Sequence, residues 1–115
     1  KKKRLLNKKQ VKYLKNLMRA VVTEGTGTAL ASDSYTAYGK TGTAEFNSAK
    51  DSHAWFVGFA PYDDPEIAVV CVIEHGGHGG YTAPAVKEVM EEYFGYNNDV
   101  NENLKMKGAD TLVVE

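Results

Sequence analysis

Of 115 residues only Cys71 is a cysteine, so neither an internal disulfide nor a cysteine-rich zinc site can form. Nowhere do eighteen apolar residues run together, and no signal-peptide pattern is present; any membrane anchor is expected to lie outside these residues. No Walker-type GxxxxGK[ST] and no GxGxxG opens a helix, which removes the usual phosphate cradles. Prolines number three, two of them in the turn-forming string PYDDPE and the third, Pro84, at a predicted helix start. What remains is ordinary globular composition, 43% hydrophobic and 25% charged, enough for one small domain and too apolar for disorder.

Acidic residues are missing from the first 23 positions. Nine of the fourteen basic residues (Lys1, Lys2, Lys3, Arg4, Lys8, Lys9, Lys12, Lys15 and Arg19) precede the first acid, Glu24. The rest of the chain holds five basic and fifteen acidic residues, a net of −10 within an overall −1. Residues 1–9 read as a basic N-terminal arm that continues into a solvated helix face. No aromatic interleaving or nucleic-acid module accompanies the charge, so nucleic acid is not expected as a partner.

Residues 10–95 carry the folded pattern. From Gln10, apolar Val11, Leu14, Leu17, Met18, Val21 and Val22 recur at spacings of three and four, which predicts an amphipathic helix over 10–24. Gly25 and Gly27 are expected to stop it by taking a left-handed conformation. Three strands are predicted at Tyr35–Phe46, Ala54–Ala60 and Ile67–Glu74, joined by NSAKDS and PYDDPE as an antiparallel meander. WFVGFA and IAVVCVI are apolar on both alternations, which predicts a sheet covered on both faces, with Cys71 a buried core thiol. A second amphipathic helix over 82–94 ends at Gly95, and residues 96–115 read as a polar tail whose TLVV could add to a sheet edge. The fold class is α+β: a three-stranded antiparallel meander flanked by two amphipathic helices packed on one side.

Chemistry concentrates in YGKTGTAEF. Lys40 brings a positive charge with little geometric demand, and Thr41 and Thr43, two apart on a strand, put two hydroxyls on one face. Together they suit a terminal carboxylate. Gly42 between them removes bulk, so another chain can approach the backbone closely. KTG is also a known motif of β-lactamases and penicillin-binding proteins.

With EGTGTA ahead of KTGT, HAWFVGFAP behind it and an amphipathic helix closing the unit, residues 10–94 resemble the C-terminal part of the transpeptidase domain of class B penicillin-binding proteins. The likeness leans to the elongation-type branch. It implies the corresponding portion of the penicillin-binding and serine β-lactamase-like fold, and a peptidoglycan D,D-transpeptidase located on the extracytoplasmic face of the bacterial cell membrane and anchored by an N-terminal helix not in this chain. Lys40, Thr41, Gly42 and Thr43 would then bind the carboxylate of a D-Ala-D-Ala stem peptide or a β-lactam, while the backbone N–H of Thr43 supplies half of an oxyanion hole. No cofactor is implied.

Such an enzyme needs an SxxK nucleophile and an SxN motif, and neither occurs here. Ser32, Asp33 and Ser34 imitate SDN but end in serine and lie after the helix, so they are assigned no role. The chain alone is expected to be inactive, to depend on the N-terminal part of the transpeptidase domain, and to self-associate through faces shaped against it. His53, His75 and His78 could suggest a metal, but a Gly-rich loop preorganises ligands poorly and no metal site is assigned. The rival readings are a β-lactamase or β-lactam sensor, which share KTG, a non-catalytic module holding a peptide terminus, and an interaction protein acting through the basic arm.

Overall fold

The computed structural model of the chain describes residues 2–95, so the expected polar tail lies outside the described residues. The order is α1 (Lys8–Thr23), β1 (Tyr38–Ala44), β2 (His53–Ala60), β3 (Ile67–Ile73) and α2 (Ala83–Phe94), with short 3-10 turns at Thr28–Leu30 and Gly79–Thr82.

Helix α1 begins at Lys8, two residues before the expected start. Asn7 causes this: its side chain accepts the Gln10 N–H at 2.9 Å, and the Gln10 side chain accepts the Asn7 N–H at 2.9 Å. This reciprocal capping box satisfies two otherwise orphaned backbone donors. The helix ends at Thr23, but the glycines act differently from expectation, because neither Gly25 nor Gly27 has a positive φ. They are needed for close approach. A Cβ on Gly25 would lie 2.9 Å from Val21 Cα, and one on Gly27 would lie 3.0 Å from the Phe56 ring. At α2 the sequence expectation holds: Pro84 sits in the first turn, and Gly95, with φ 75°, closes the end by donating to Glu91 and Glu92 carbonyls.

The sheet is the expected antiparallel meander, ordered β1-β2-β3. Its first strand is shorter than Tyr35–Phe46, because Tyr35 and Ala37 turn into the core before pairing begins at Tyr38. Both helices pack on the sheet face that carries Phe56. Val22 of α1, Val86 and Met90 of α2, Leu30, Phe56 and Val69 form a continuous buried cluster. The other face, expected to be covered, is open in the described residues. Trp55 pairs with Gly42 and Val72, and Val57 with Lys40 and Val70, so these side chains share one face. Val70 is 62% exposed there, and Trp55 and Val72 also reach solvent. The two helices supply apolar side chains for one sheet face only. Cys71, opposite Phe56 on the helix-covered face, packs against the cluster but sits on the edge strand β3 and is therefore half-buried, not the fully buried core thiol expected.

Candidate functional site at the KTGT edge

Strand β1 lies at the edge of the sheet, paired on one side to β2 through Lys40 with Val57, Thr41 with Phe56, Gly42 with Trp55 and Thr43 with Ala54. Phe56 faces the helices, so Thr41 and Thr43 project on that face and Lys40 and Gly42 on the opposite one. Lys40 nevertheless reaches back to Thr41. Its Nζ donates to the Thr41 carbonyl at 2.9 Å and to Thr41 Oγ1 at 3.4 Å. Lys40 and Thr43 are exposed, and Thr41 is half-buried.

Two glycine-rich segments converge on these hydroxyls. Thr26, between Gly25 and Gly27, places its Oγ1 2.8 Å from Thr41 Oγ1. Gly79, from the HGGHGG segment, donates its N–H to Thr43 Oγ1 at 3.2 Å. The approach at Gly79 is close: a Cβ there would lie 2.9 Å from both Gly42 N and the Trp55 carbonyl oxygen. Gly80 lies against Thr26 in the same way, its Cβ position 3.0 Å from the Thr26 carbonyl. Neither Thr26 nor Gly79 stood out in the sequence, where both segments read as punctuation. The available signal was glycine density, since short-range backbone packing needs residues without Cβ. Gly42 also has an internal reason to be glycine, because a Cβ would sit 3.2 Å from Trp55 Cβ.

The histidines close loops. His53 Nδ1 accepts the His75 N–H at 3.0 Å, which fixes its tautomer with the proton on Nε2, and His75 Nδ1 meets the Asp51 carbonyl at 2.9 Å. These bonds accompany a positive φ of 52° at His75. His78 Nδ1 accepts the Gly80 N–H and caps the following 3-10 turn. Among the described residues no three His, Cys, Asp or Glu side chains group as metal ligands. Ser32 accepts the Ser34 N–H at 3.1 Å, a local turn away from the KTGT edge.

Burial and charge perturb three groups elsewhere. Burial, reinforced by the charge of Glu91 and opposed by a hydrogen bond from Ser32, pushes the Tyr35 phenol up to about 12. Burial also raises Tyr38, aided by Tyr62, and raises the Cys71 thiol. A groove of about 730 Å³ beside Leu5, Leu6, Val11 and Tyr62 lies at the start of α1, whereas a smaller one of about 150 Å³ borders Lys40, Gly42, Trp55 and Val57. Hydroxyl and ammonium chemistry belongs to the second neighbourhood, and the first is lined by basic and apolar side chains.

Comparison with known proteins identifies the family. Residues 1–91 match the penicillin binding protein transpeptidase domain family. The chain is 38% identical over 92 residues to the peptidoglycan D,D-transpeptidase MrdA of Acinetobacter baumannii, covering 68% of this chain and 14% of that protein. It is 31% identical over 103 residues to the stage V sporulation protein D of Bacillus subtilis, covering 79% of this chain and 16% of that one. The chain thus spans about one sixth or less of these relatives. Among solved structures, it superposes on the D,D-transpeptidase domain of a peptidoglycan glycosyltransferase from Eggerthella lenta with a TM-score of 0.69 at 36% identity, over 81% of this chain and 22% of that one. Pseudomonas aeruginosa PBP2, solved in complex with WCK 5153, gives 0.70 at 35% identity over 81% and 21%. MrdA proteins among the relatives support the lean to the elongation-type branch. The chain belongs to the penicillin-binding protein transpeptidase domain family, on its class B branch.

Proposed function

We propose that these residues form the carboxylate-gripping side of a peptidoglycan D,D-transpeptidase site and that the nucleophile comes from residues outside this chain. The observation that carries this reading is the Lys40 ammonium bonded to Thr41, whose hydroxyl shares a strand face with that of Thr43 at a sheet edge. An extended stem peptide can add alongside such an edge through main-chain hydrogen bonds. Lys40, Thr41 and Thr43 hold the terminal carboxylate of D-Ala-D-Ala, and Gly42 lets the peptide lie close. The Thr43 N–H then stabilises the charge that develops on the reacting carbonyl oxygen. A serine hydroxyl attacks that carbonyl carbon, the bond to the terminal D-Ala nitrogen breaks, and D-Ala leaves with the proton. An amine of a second stem peptide takes the acyl group from serine. A β-lactam enters the same path through its own carboxylate and ring amide.

The partner of this chain is the N-terminal part of the transpeptidase domain, and the apolar face around Trp55, Val70 and Val72 suits that contact. The site works at the extracytoplasmic face of the bacterial membrane, where peptidoglycan is cross-linked. Residues 1–115 contain no SxxK serine, so they alone acquire no covalent adduct. Clamp contacts at a solvent-open site contribute roughly 1–3 kcal/mol each against several kcal/mol of lost freedom, which limits affinity to about millimolar. Left alone, copies of the chain associate through the open sheet face and strand edge.

The test compares benzylpenicillin acylation of the intact transpeptidase, its Lys40→Ala variant, and residues 1–115. Acylation is expected in the first, slowed at least about tenfold in the second, and absent in the third. A stoichiometric mass increase on residues 1–115, or normal acylation of a well-folded Lys40→Ala enzyme, overturns the reading.

A further inference from the structure

A threonine hydroxyl has one proton and two lone pairs, whereas a carboxylate only accepts. On an exposed strand a hydroxyl can rotate and point its proton elsewhere, so a carboxylate clamp gains from anything that fills the lone pairs from behind. At Thr43 the Gly79 N–H does this and leaves the proton free. Around Thr41 two groups approach. Lys40 Nζ, which can only donate, stands 3.4 Å from Oγ1, and Thr26 Oγ1 stands at 2.8 Å, where either hydroxyl could give the proton.

Thr26 is held in place from both sides. The Gly27 N–H donates to the Val21 carbonyl at 3.0 Å, tying the segment to the end of α1, and Gly80 packs against the Thr26 carbonyl. We propose that Thr26 is a positioning residue of the clamp: it donates to Thr41 Oγ1, so that the Thr41 proton is committed to the ligand, and the site selects a carboxylate over a carboxamide. This rests on the function proposed above. A carboxylate presents acceptors to the ammonium and both hydroxyls, and the chain from Thr26 through Thr41 to the ligand polarises in one direction. A carboxamide places an NH₂ against groups already committed to donating. Mismatch of that kind is how a polar site rejects an uncharged analogue.

The experiment uses the intact transpeptidase and measures second-order acylation rates with a penicillin and with its carboxamide. Wild type is expected to prefer the free acid by well over about tenfold. Thr26→Val should slow the acid about tenfold, the worth of one ordinary hydrogen bond, and change the carboxamide less than about twofold. Thr26→Ser, which keeps the hydroxyl, should restore the acid rate to within about twofold of wild type. In a Thr41→Val background, Thr26→Val should add no further loss, because its effect passes through Thr41. Thr26 is exposed, so both substitutions spare the core, and Thr26→Ala provides a second hydroxyl-free variant should the valine disturb folding. Equal losses for acid and carboxamide, or no change in either, overturn the positioning role. A wild-type enzyme that does not distinguish the two ligands instead overturns the carboxylate clamp itself.

Discussion

Substituting Gly79 by alanine tests whether the Gly-rich loop holds the KTGT strand through backbone contact. The added Cβ would lie 2.9 Å from Gly42 N and from the Trp55 carbonyl oxygen, and closer still to the Gly42 carbonyl oxygen. All three are main-chain atoms of paired strands, so no side chain can swing away. Ordinary contact begins near 3.4 Å, and the loop must therefore withdraw by at least about half an ångström. The Gly79 N–H to Thr43 Oγ1 bond, already 3.2 Å, would stretch beyond useful range. Losing that bond costs about 1 kcal/mol, and displacing packed backbone adds about 1–3 kcal/mol. Stiffening of the unfolded chain by alanine returns about 0.4–1 kcal/mol, leaving a net destabilisation of roughly 1–3 kcal/mol.

Gly58→Ala is the matched control. Its Cβ would meet Met90 Cε at 3.0 Å, Val86 Cγ1 at 3.1 Å and Leu30 Cδ2 at 3.3 Å, which are side-chain ends that can shift by a few tenths of an ångström. The expected cost there is about 1 kcal/mol, the low end for adding a methyl group to a packed core. Urea denaturation of the intact transpeptidase gives both stabilities, and β-lactam acylation should slow in Gly79→Ala while remaining near wild type in Gly58→Ala. If Gly79→Ala is neutral in both assays, or if Gly58→Ala is the more harmful, the loop does not support the strand as described.

Three further outcomes follow from local geometry. The Tyr35 phenol is raised above its unfolded value of 10 to about 12, so its contribution to stability is complete below pH 10 and disappears as pH rises through 12; Tyr35→Phe should lose less stability than wild type between pH 9 and 11.5, and parallel pH profiles by urea denaturation would refute this. Burial raises the Cys71 thiol, which keeps it protonated at neutral pH, so iodoacetamide should react at least about tenfold more slowly with folded than with urea-unfolded protein. Asn7→Ala removes the side-chain acceptor for the Gln10 N–H, leaving the Asn7 N–H bonded to the Gln10 side chain, and should cost about 1 kcal/mol in urea denaturation, whereas Lys2→Ala, on exposed chain before the helix, should cost nothing measurable.

Both helices were legible because their apolar residues recur at helical spacing, and the Pro84 start and Gly95 stop of α2 are local backbone chemistry. The meander was legible because PYDDPE and NSAKDS interrupt runs of strand-forming residues. Boundaries failed for two different reasons, one a distant partner and one a local cap between residues three apart. Tyr35 belongs to the strand by composition and to the core by packing, and the reciprocal cap of Asn7 and Gln10 carried α1 past its expected start.

KTGT fixed, from sequence alone, which side chains stand together: a strand alternates its residues, so Thr41 and Thr43 must share a face and Gly42 must separate them. The sequence also determined that no SxxK serine exists in these residues. Only the tertiary structure decided what stands behind each hydroxyl. Thr26 lies fifteen residues from Thr41, and Gly79 lies 36 from Thr43. Contacts across such separations depend on how α1 ends and how the loop after β3 folds back, and no local periodicity encodes them. The open sheet face was decided the same way. An apolar strand records that it is built to be covered, but which layer covers it depends on where the helices pack.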